Sequence, residues 1–144
     1  MKLVLALGSN LGDRDANLNN AIRLINSKIG SADKISGFYR TEPVGFVSDN
    51  YFLNSVVLVN TKLSVYQAFK ATQKIEKILG RTTKSINGVH FDRIIDIDLL
   101  FYGNKILKTK NLTLPHPRLH LRNFVLDPLN EILPNFCKYL RMPS

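Results

Sequence analysis

A single cysteine, Cys137, stands among 144 residues, which excludes an intrachain disulfide and points to a reducing, cytoplasmic setting. No apolar stretch approaches the roughly 18 residues needed to cross a bilayer as a helix. Like charges never run to five in a row, which argues against a basic tail that binds nucleic acid. Repeats, low-complexity tracts and linkers are missing too, so residues 1–144 are expected to form one domain. Neither G-x-x-x-x-G-K-[ST] nor G-x-G-x-x-G occurs, and the stretch from Gly8 to Gly12 reads as a tight turn rather than a phosphate cradle. His116 and His120 stand four apart, but Pro117 follows the first and His-Glu-x-x-His is absent, which removes the usual helical zinc site. Cys137 has no neighbour suited to nucleophilic catalysis and reads as a structural thiol.

What is present is an ordinary globular composition, 44% apolar and 22% charged, with 20 Lys and Arg against 11 Asp and Glu. The net charge of +9 attracts anions of any kind: nucleic acid, acidic membranes or a nucleotide polyphosphate. Lys2 to Leu7 reads as a short buried strand. Leu18, Ala21, Ile22, Ile25 and Ile29 recur at helical spacing, with Gly30 as the stop. Lys34 to Tyr39 and Tyr51 to Asn60 predict strands, with a loop from Thr41 to Asn50 between them. Ser64 and Gln67 form a capping box that opens a second helix, whose inner face is Val65, Ala68, Phe69, Thr72, Ile75 and Leu79 and whose end is Gly80. Ile94 to Tyr102 is the next strand. Leu112 to Leu114 is strand-like, and Asn123 to Leu133 predicts a short helix. Strand, helix, strand, strand, helix, strand is the ferredoxin-like βαββαβ order of an α+β fold: an antiparallel sheet with helices packed on it, here with a C-terminal extension.

The run Asp92-Arg93-Ile94-Ile95-Asp96-Ile97-Asp98-Leu99-Leu100-Phe101 carries the sharpest chemical signal. Alternation along a strand puts Asp96 and Asp98 on one face and Ile95, Ile97 and Leu99 on the other. Two carboxylates about 7 Å apart repel one another unless a cation lies between them. Mg²⁺ suits the pair, because it takes one or two carboxylates and fills its other positions with water and substrate phosphate. Just upstream, Arg81, Lys84 and Arg93 bracket a polar loop, an arrangement fit to neutralise a phosphoryl group in transfer. Gln73 and Glu76, at i and i+3 on the polar side of the second helix, are read on their own as ordinary helix surface.

Taken in order, Gly8-Ser9-Asn10-Leu11-Gly12, Phe38-Tyr39-Arg40-Thr41-Glu42-Pro43, Phe52-Leu53-Asn54, Gln73-x-x-Glu76, Gly80-Arg81, Arg93-x-x-Asp96-x-Asp98 and Leu114-Pro115-His116-Pro117-Arg118 make the chain resemble the 6-hydroxymethyl-7,8-dihydropterin pyrophosphokinase family. The resemblance implies transfer of diphosphate from ATP to the hydroxymethyl group of the pterin, release of AMP, a role in folate biosynthesis, and two Mg²⁺ ions. It implies that Asp96 and Asp98 hold both metals and that Arg81 and Arg93 assist the transfer. Gln73, Glu76, Thr113, His116 and Arg122 fall at ATP positions, with Lys84 beside them in the loop. Thr41, Pro43, Val44, Asn54 and Phe124 fall at pterin positions, Phe124 as one stacking face. Thr83 stands where the family commonly has a second loop arginine. His90 and Phe91 share the place of an aromatic lid over the pterin, and residues 82–92 are expected to close over the two substrates. The implied partners are small molecules alone, bound by a monomer, with no nucleic acid and no membrane.

The rival reading is a basic ferredoxin-like module that binds nucleic acid. Such a module needs aromatic and basic residues on its open sheet face, whereas the strand meant for that role carries Asp96 and Asp98.

Overall fold

The computed structural model describes residues 1–42, 51–80, 94–117 and 123–135, and the backbone of 85–86 and 89–90. In chain order the elements are β1 (Lys2–Ser9), α1 (Arg14–Lys28), β2 (Gly30–Ile35), β3 (Tyr39–Thr41), β4 (Phe52–Thr61) and α2 (Val65–Ile78). They continue with β5 (Ser85–Ile86), β6 (Val89–His90), β7 (Asp96–Tyr102), β8 (Leu107–Lys108), β9 (Thr113–Leu114) and α3 (Asn123–Ile132). The main sheet runs β2-β4-β1-β7, every pairing antiparallel, with β3 continuing the β2 edge along β4. The pairs β5–β6 and β8–β9 form separate hairpins. The fold is α+β.

Local chemistry explains where the helices begin. Asp13 Oδ1 accepts the Ala16 N–H at 3.0 Å at the head of α1. Ser64 and Gln67 make the reciprocal capping box on α2, and Gly80, at φ +101°, ends the turn beyond it. Gly30 follows the C-cap Ile29 directly, as expected of a helix stop, and it has a second role. It is the first residue of β2, and a Cβ there would lie 2.2 Å from the Asn60 carbonyl oxygen, so only glycine lets β2 start directly beside β4. The strand predicted over Lys34–Tyr39 is therefore two strands, β2 and β3, parted at Ser36, Gly37 and Phe38. Gly8 and Ser9 likewise belong to β1 rather than to a turn, because β4 pairs with them through Asn54 and Leu53.

Both faces of the sheet are apolar and both are covered. One face packs Leu3, Leu5, Leu7, Val57, Val59, Ile95, Ile97 and Leu99 against Leu18, Ala21 and Ile25 of α1 and Val65, Ala68 and Ile75 of α2. The other buries Val4, Val56, Leu58, Leu100 and Phe101 under Val125, Leu129 and Ile132 of α3 and Leu133 beyond it. α3 continues through Pro128, which has no N–H to offer the carbonyl four residues earlier. Its outer side is tied to the β2–β3 link by Glu131, whose carboxylate accepts the Gly37 N–H at 3.0 Å and the Tyr39 hydroxyl. The open sheet face that a nucleic-acid module would need thus lies partly beneath a helix. Among the described residues no helix is long and apolar enough to cross a membrane.

Candidate active site

α3 packs on the Val4 end of its sheet face. Along β1 the residues on that face shrink from Val4 to Ala6 to Gly8, and the Gly8 end is flanked by polar groups on both neighbouring strands. Gly8 pairs with Asn54 of β4 on one side and with Asp96 of β7 on the other. Ala6 pairs with Val56 and Asp98 in the same way. Strands about 4.8 Å apart therefore place Asn54 and Asp96 about 10 Å from each other across Gly8.

Asp96 and Asp98 are half-buried, and they alternate with Ile97 and Leu99, which are 2% and 3% exposed and face the α1–α2 core. The strand alternation read from the sequence holds here. Two carboxylates on one face, at the rim of a sheet, match the donor set of Mg²⁺, which keeps water or phosphate on its other positions. Among the described residues no group of three or more His, Cys, Asp or Glu could hold a metal ion.

β7 is the last strand of the main sheet, and side chains and loops serve its outer edge. Glu76 reaches it from α2, and its Oε2 accepts the Ile97 N–H at 2.8 Å, between the two aspartates. Glu76 is 3% exposed, so it is not the helix-surface residue expected from its spacing. The cause is its place beside Ile75, which points the last turn of α2 at β7; the edge amide gives the buried carboxylate a partner. Gln73 lies one turn earlier and is half-buried. Further along the same edge the His116 N–H donates to the Leu100 carbonyl at 2.7 Å, just after the cis Leu114–Pro115 bond. Thr113, in β9, is half-buried, and its neighbour Leu114 is in the core. Four expected ATP positions, Gln73, Glu76, Thr113 and His116, therefore fall on α2 and the β9 segment, the two units that flank β7.

On the other side of Gly8, Asn54 is 6% exposed, and its Nδ2 donates to Thr41 Oγ1 at 2.7 Å and to the Tyr39 carbonyl at 3.2 Å. The carbonyl can only accept, which fixes the amide with Oδ1 turned toward β1. Phe52, two residues before Asn54, shares that face, and its ring lies against Gly8. Tyr51, at the start of the chain leading into β4, is held nearby. Arg14 Nε donates to the Tyr51 carbonyl at 2.9 Å, and the guanidinium carbons of Arg14 and Arg40 each lie 4.0 Å from the Tyr51 ring centroid.

The structure thus brings Thr41, Asn54, Asp96 and Asp98 onto one sheet end, with Gln73, Glu76, Thr113 and His116 beside it. Arg81, Arg93, Lys84, Phe91, Pro43, Val44 and Arg122 lie outside the described residues. Of His90 and Phe124 only the backbone is described, in β6 and in the first turn of α3. Sequence reading missed Gly8 and Phe52. The signal was available in the strand period: Val4, Ala6 and Gly8 taper on one face, and Phe52 alternates with Asn54.

The family model described as 7,8-dihydro-6-hydroxymethylpterin-pyrophosphokinase (HPPK) matches residues 4–134. A curated 2-amino-4-hydroxy-6-hydroxymethyldihydropteridine pyrophosphokinase of Porphyromonas gingivalis is 44% identical over 131 residues, covering 90% of this chain and 89% of the relative. The protein of the same name from Bacillus subtilis is 40% identical over 129 residues, covering 89% and 75%. A solved Plasmodium falciparum HPPK-DHPS with pteroate superposes with a TM-score of 0.72 at 16% identity, over 92% of this chain and 41% of that one. At that identity the likeness speaks for the fold alone, and this chain spans about two fifths of that structure's length.

Proposed function

The chain belongs to the 7,8-dihydro-6-hydroxymethylpterin-pyrophosphokinase family and is an enzyme of folate biosynthesis that transfers pyrophosphate from ATP, and from that premise we propose how its residues divide the work. The single observation that carries the proposal is the registered row Asn54–Gly8–Asp96, which sets an amide for a flat heterocycle two strands from a pair of carboxylates.

In this reading Asn54 Oδ1, fixed by Thr41 and Tyr39, accepts an N–H of the pterin, and Pro43, Val44 and Phe124 complete the pterin slot with His90 or Phe91 as its lid. Asp96 and Asp98 hold two Mg²⁺ ions. Bound there, Mg²⁺ supplies charge neutralisation and fixed positions for phosphate oxygens. Glu76 keeps the backbone between the two aspartates in place. Gln73, Thr113, His116, Lys84 and Arg122 hold ATP against the outer edge of β7. The pterin hydroxyl attacks the β-phosphorus in line and AMP leaves, while Arg81 and Arg93 offset charge that builds on the transferring group. Positioning and electrostatics carry the acceleration, and no side chain is assigned as a general base.

The strand order, with β1 between β4 and β7, is read as the ferredoxin-like arrangement, and residues 1–144 as a single catalytic domain. A monomer suffices in this scheme, because one chain supplies both halves of the site, and the single cysteine suits the cytoplasm. The test is AMP formation from ATP, Mg²⁺ and 6-hydroxymethyl-7,8-dihydropterin. AMP and pterin diphosphate in equal amounts support the reading; ADP with a pterin monophosphate overturns it.

A further inference from the structure

We infer that Gly8 is a positioning residue for pterin recognition: lacking a side chain, it lets the Asn54 amide and the Phe52 ring lie down on β1 and form a flat floor. The inference rests on the reading of Asn54 as a pterin ligand and adds to it the residue that sets the height of that ligand.

The geometry is specific. A Cβ on Gly8 would stand 3.2 Å from Asn54 Oδ1, and 3.5 and 3.8 Å from two ring carbons of Phe52. The first distance is closer than a carbon and an amide oxygen ordinarily approach, so one of them must move. Asn54 cannot swing away without stretching its bonds to Thr41 Oγ1 and the Tyr39 carbonyl. Oδ1 itself has no donor among the described residues, so the displaced atom is the one left over for a ligand. The backbone does not require glycine here. Gly8 lies inside β1, paired on both sides, and among the described residues the glycines with positive φ are Gly12, Gly80 and Gly103. Glycine inside a strand weakens it relative to alanine, so the sequence gives up strand stability at this position. The two rows of the face also differ as a floor should. Ala6, one row nearer α3, carries a methyl group between Val56 and Asp98, while at Gly8 the methyl is absent between Asn54 and Asp96.

A methyl at Gly8 should therefore harm one substrate and spare the other. The pterin loses its acceptor height and its flat support. ATP lies across β7 on the far side of the two aspartates. The experiment measures pterin and ATP binding separately for wild type, Gly8→Ala and Gly8→Val, the pterin by its fluorescence and ATP with Mg²⁺ by calorimetry. Thermal melting is recorded on each. Overpacking of this kind raises the pterin dissociation constant by about tenfold or more for Gly8→Ala. Gly8→Val goes further, ATP affinity stays within about twofold of wild type, and the melting midpoint of Gly8→Ala does not fall. Unchanged pterin affinity in Gly8→Ala overturns the inference. So does equal loss of both ligands with a lower midpoint, since that is a merely structural glycine. Wild-type protein that fails to bind the pterin at all sinks the functional reading itself, a result distinct from either.

Discussion

Replacing Glu76 by alanine removes the acceptor from the Ile97 N–H, where α2 grips the strand between Asp96 and Asp98. The bond is 2.8 Å long and the carboxylate 3% exposed, so water does not readily take its place. A buried donor left unsatisfied costs about 1–3 kcal/mol. Taking about 2 kcal/mol, a chain of this size loses roughly 4–8 °C in melting midpoint. Glu76→Gln keeps an acceptor of nearly the same shape but without the charge, and a neutral bond is about half as strong, so its loss is about 1 kcal/mol. The local effect matters more than the global one. Ile97 holds the spacing of the two carboxylates, and groups that support metal ligands in this way are worth roughly 10–100-fold in metal affinity. The assay is turnover against Mg²⁺ concentration at saturating ATP and pterin. Glu76→Ala should need about tenfold more Mg²⁺ for half-maximal rate, with Glu76→Gln in between. A Glu76→Ala protein with wild-type melting and an unchanged Mg²⁺ requirement would refute the reasoning.

Asp96→Ala and Asp98→Ala should each abolish most turnover while the protein still melts cooperatively, and without Mg²⁺ the melting midpoint of Asp98→Ala should rise as like-charge repulsion is relieved. Arg81→Ala and Arg93→Ala should lower kcat far more than ATP affinity, and an equal loss of affinity with kcat intact would make them binding groups only. The Tyr39 hydroxyl is held above its usual 10.0 by its hydrogen bond to Glu131, with burial and the charges of Glu131 and Asp127 acting the same way. The folded state therefore keeps this proton longer than the unfolded chain. The contribution is complete below the unfolded value and is lost as pH rises through the folded one, so Tyr39→Phe should flatten the alkaline side of a melting-versus-pH curve.

Features set by neighbouring residues were legible in the sequence; those set by distant ones were not. The capping box of Ser64 and Gln67 and the alternation of Asp96 and Asp98 with Ile97 and Leu99 depend on local spacing, and both stand in the structure as read. Glu76 was read as surface because helix periodicity cannot see that a strand edge lies opposite. Gly8 was read as a turn because Gly-Ser-Asn-Leu-Gly is turn chemistry, although pairing with Asn54 and Asp96 keeps β1 extended through Ser9. Gly30 was read as a helix stop and does follow the end of α1, but its second constraint, the Asn60 carbonyl about 30 residues away, is invisible to any short window. Arg81, Lys84, Phe91 and Arg93 lie outside the described residues, so the reading of the basic loop and its aromatic lid stays an expectation.

The central claim is that the pterin and the metal meet on one sheet end, across Gly8. Mn²⁺ substituted for Mg²⁺ broadens the NMR signals of nearby protons, and its effect falls steeply with distance. In the complex with pterin and a non-hydrolysable ATP analogue, the hydroxymethyl protons of the pterin should be the most strongly broadened pterin protons, and the effect should disappear in the Asp96→Ala, Asp98→Ala double variant. Hydroxymethyl protons that stay sharp in wild type, or that broaden equally in the double variant, would contradict the account.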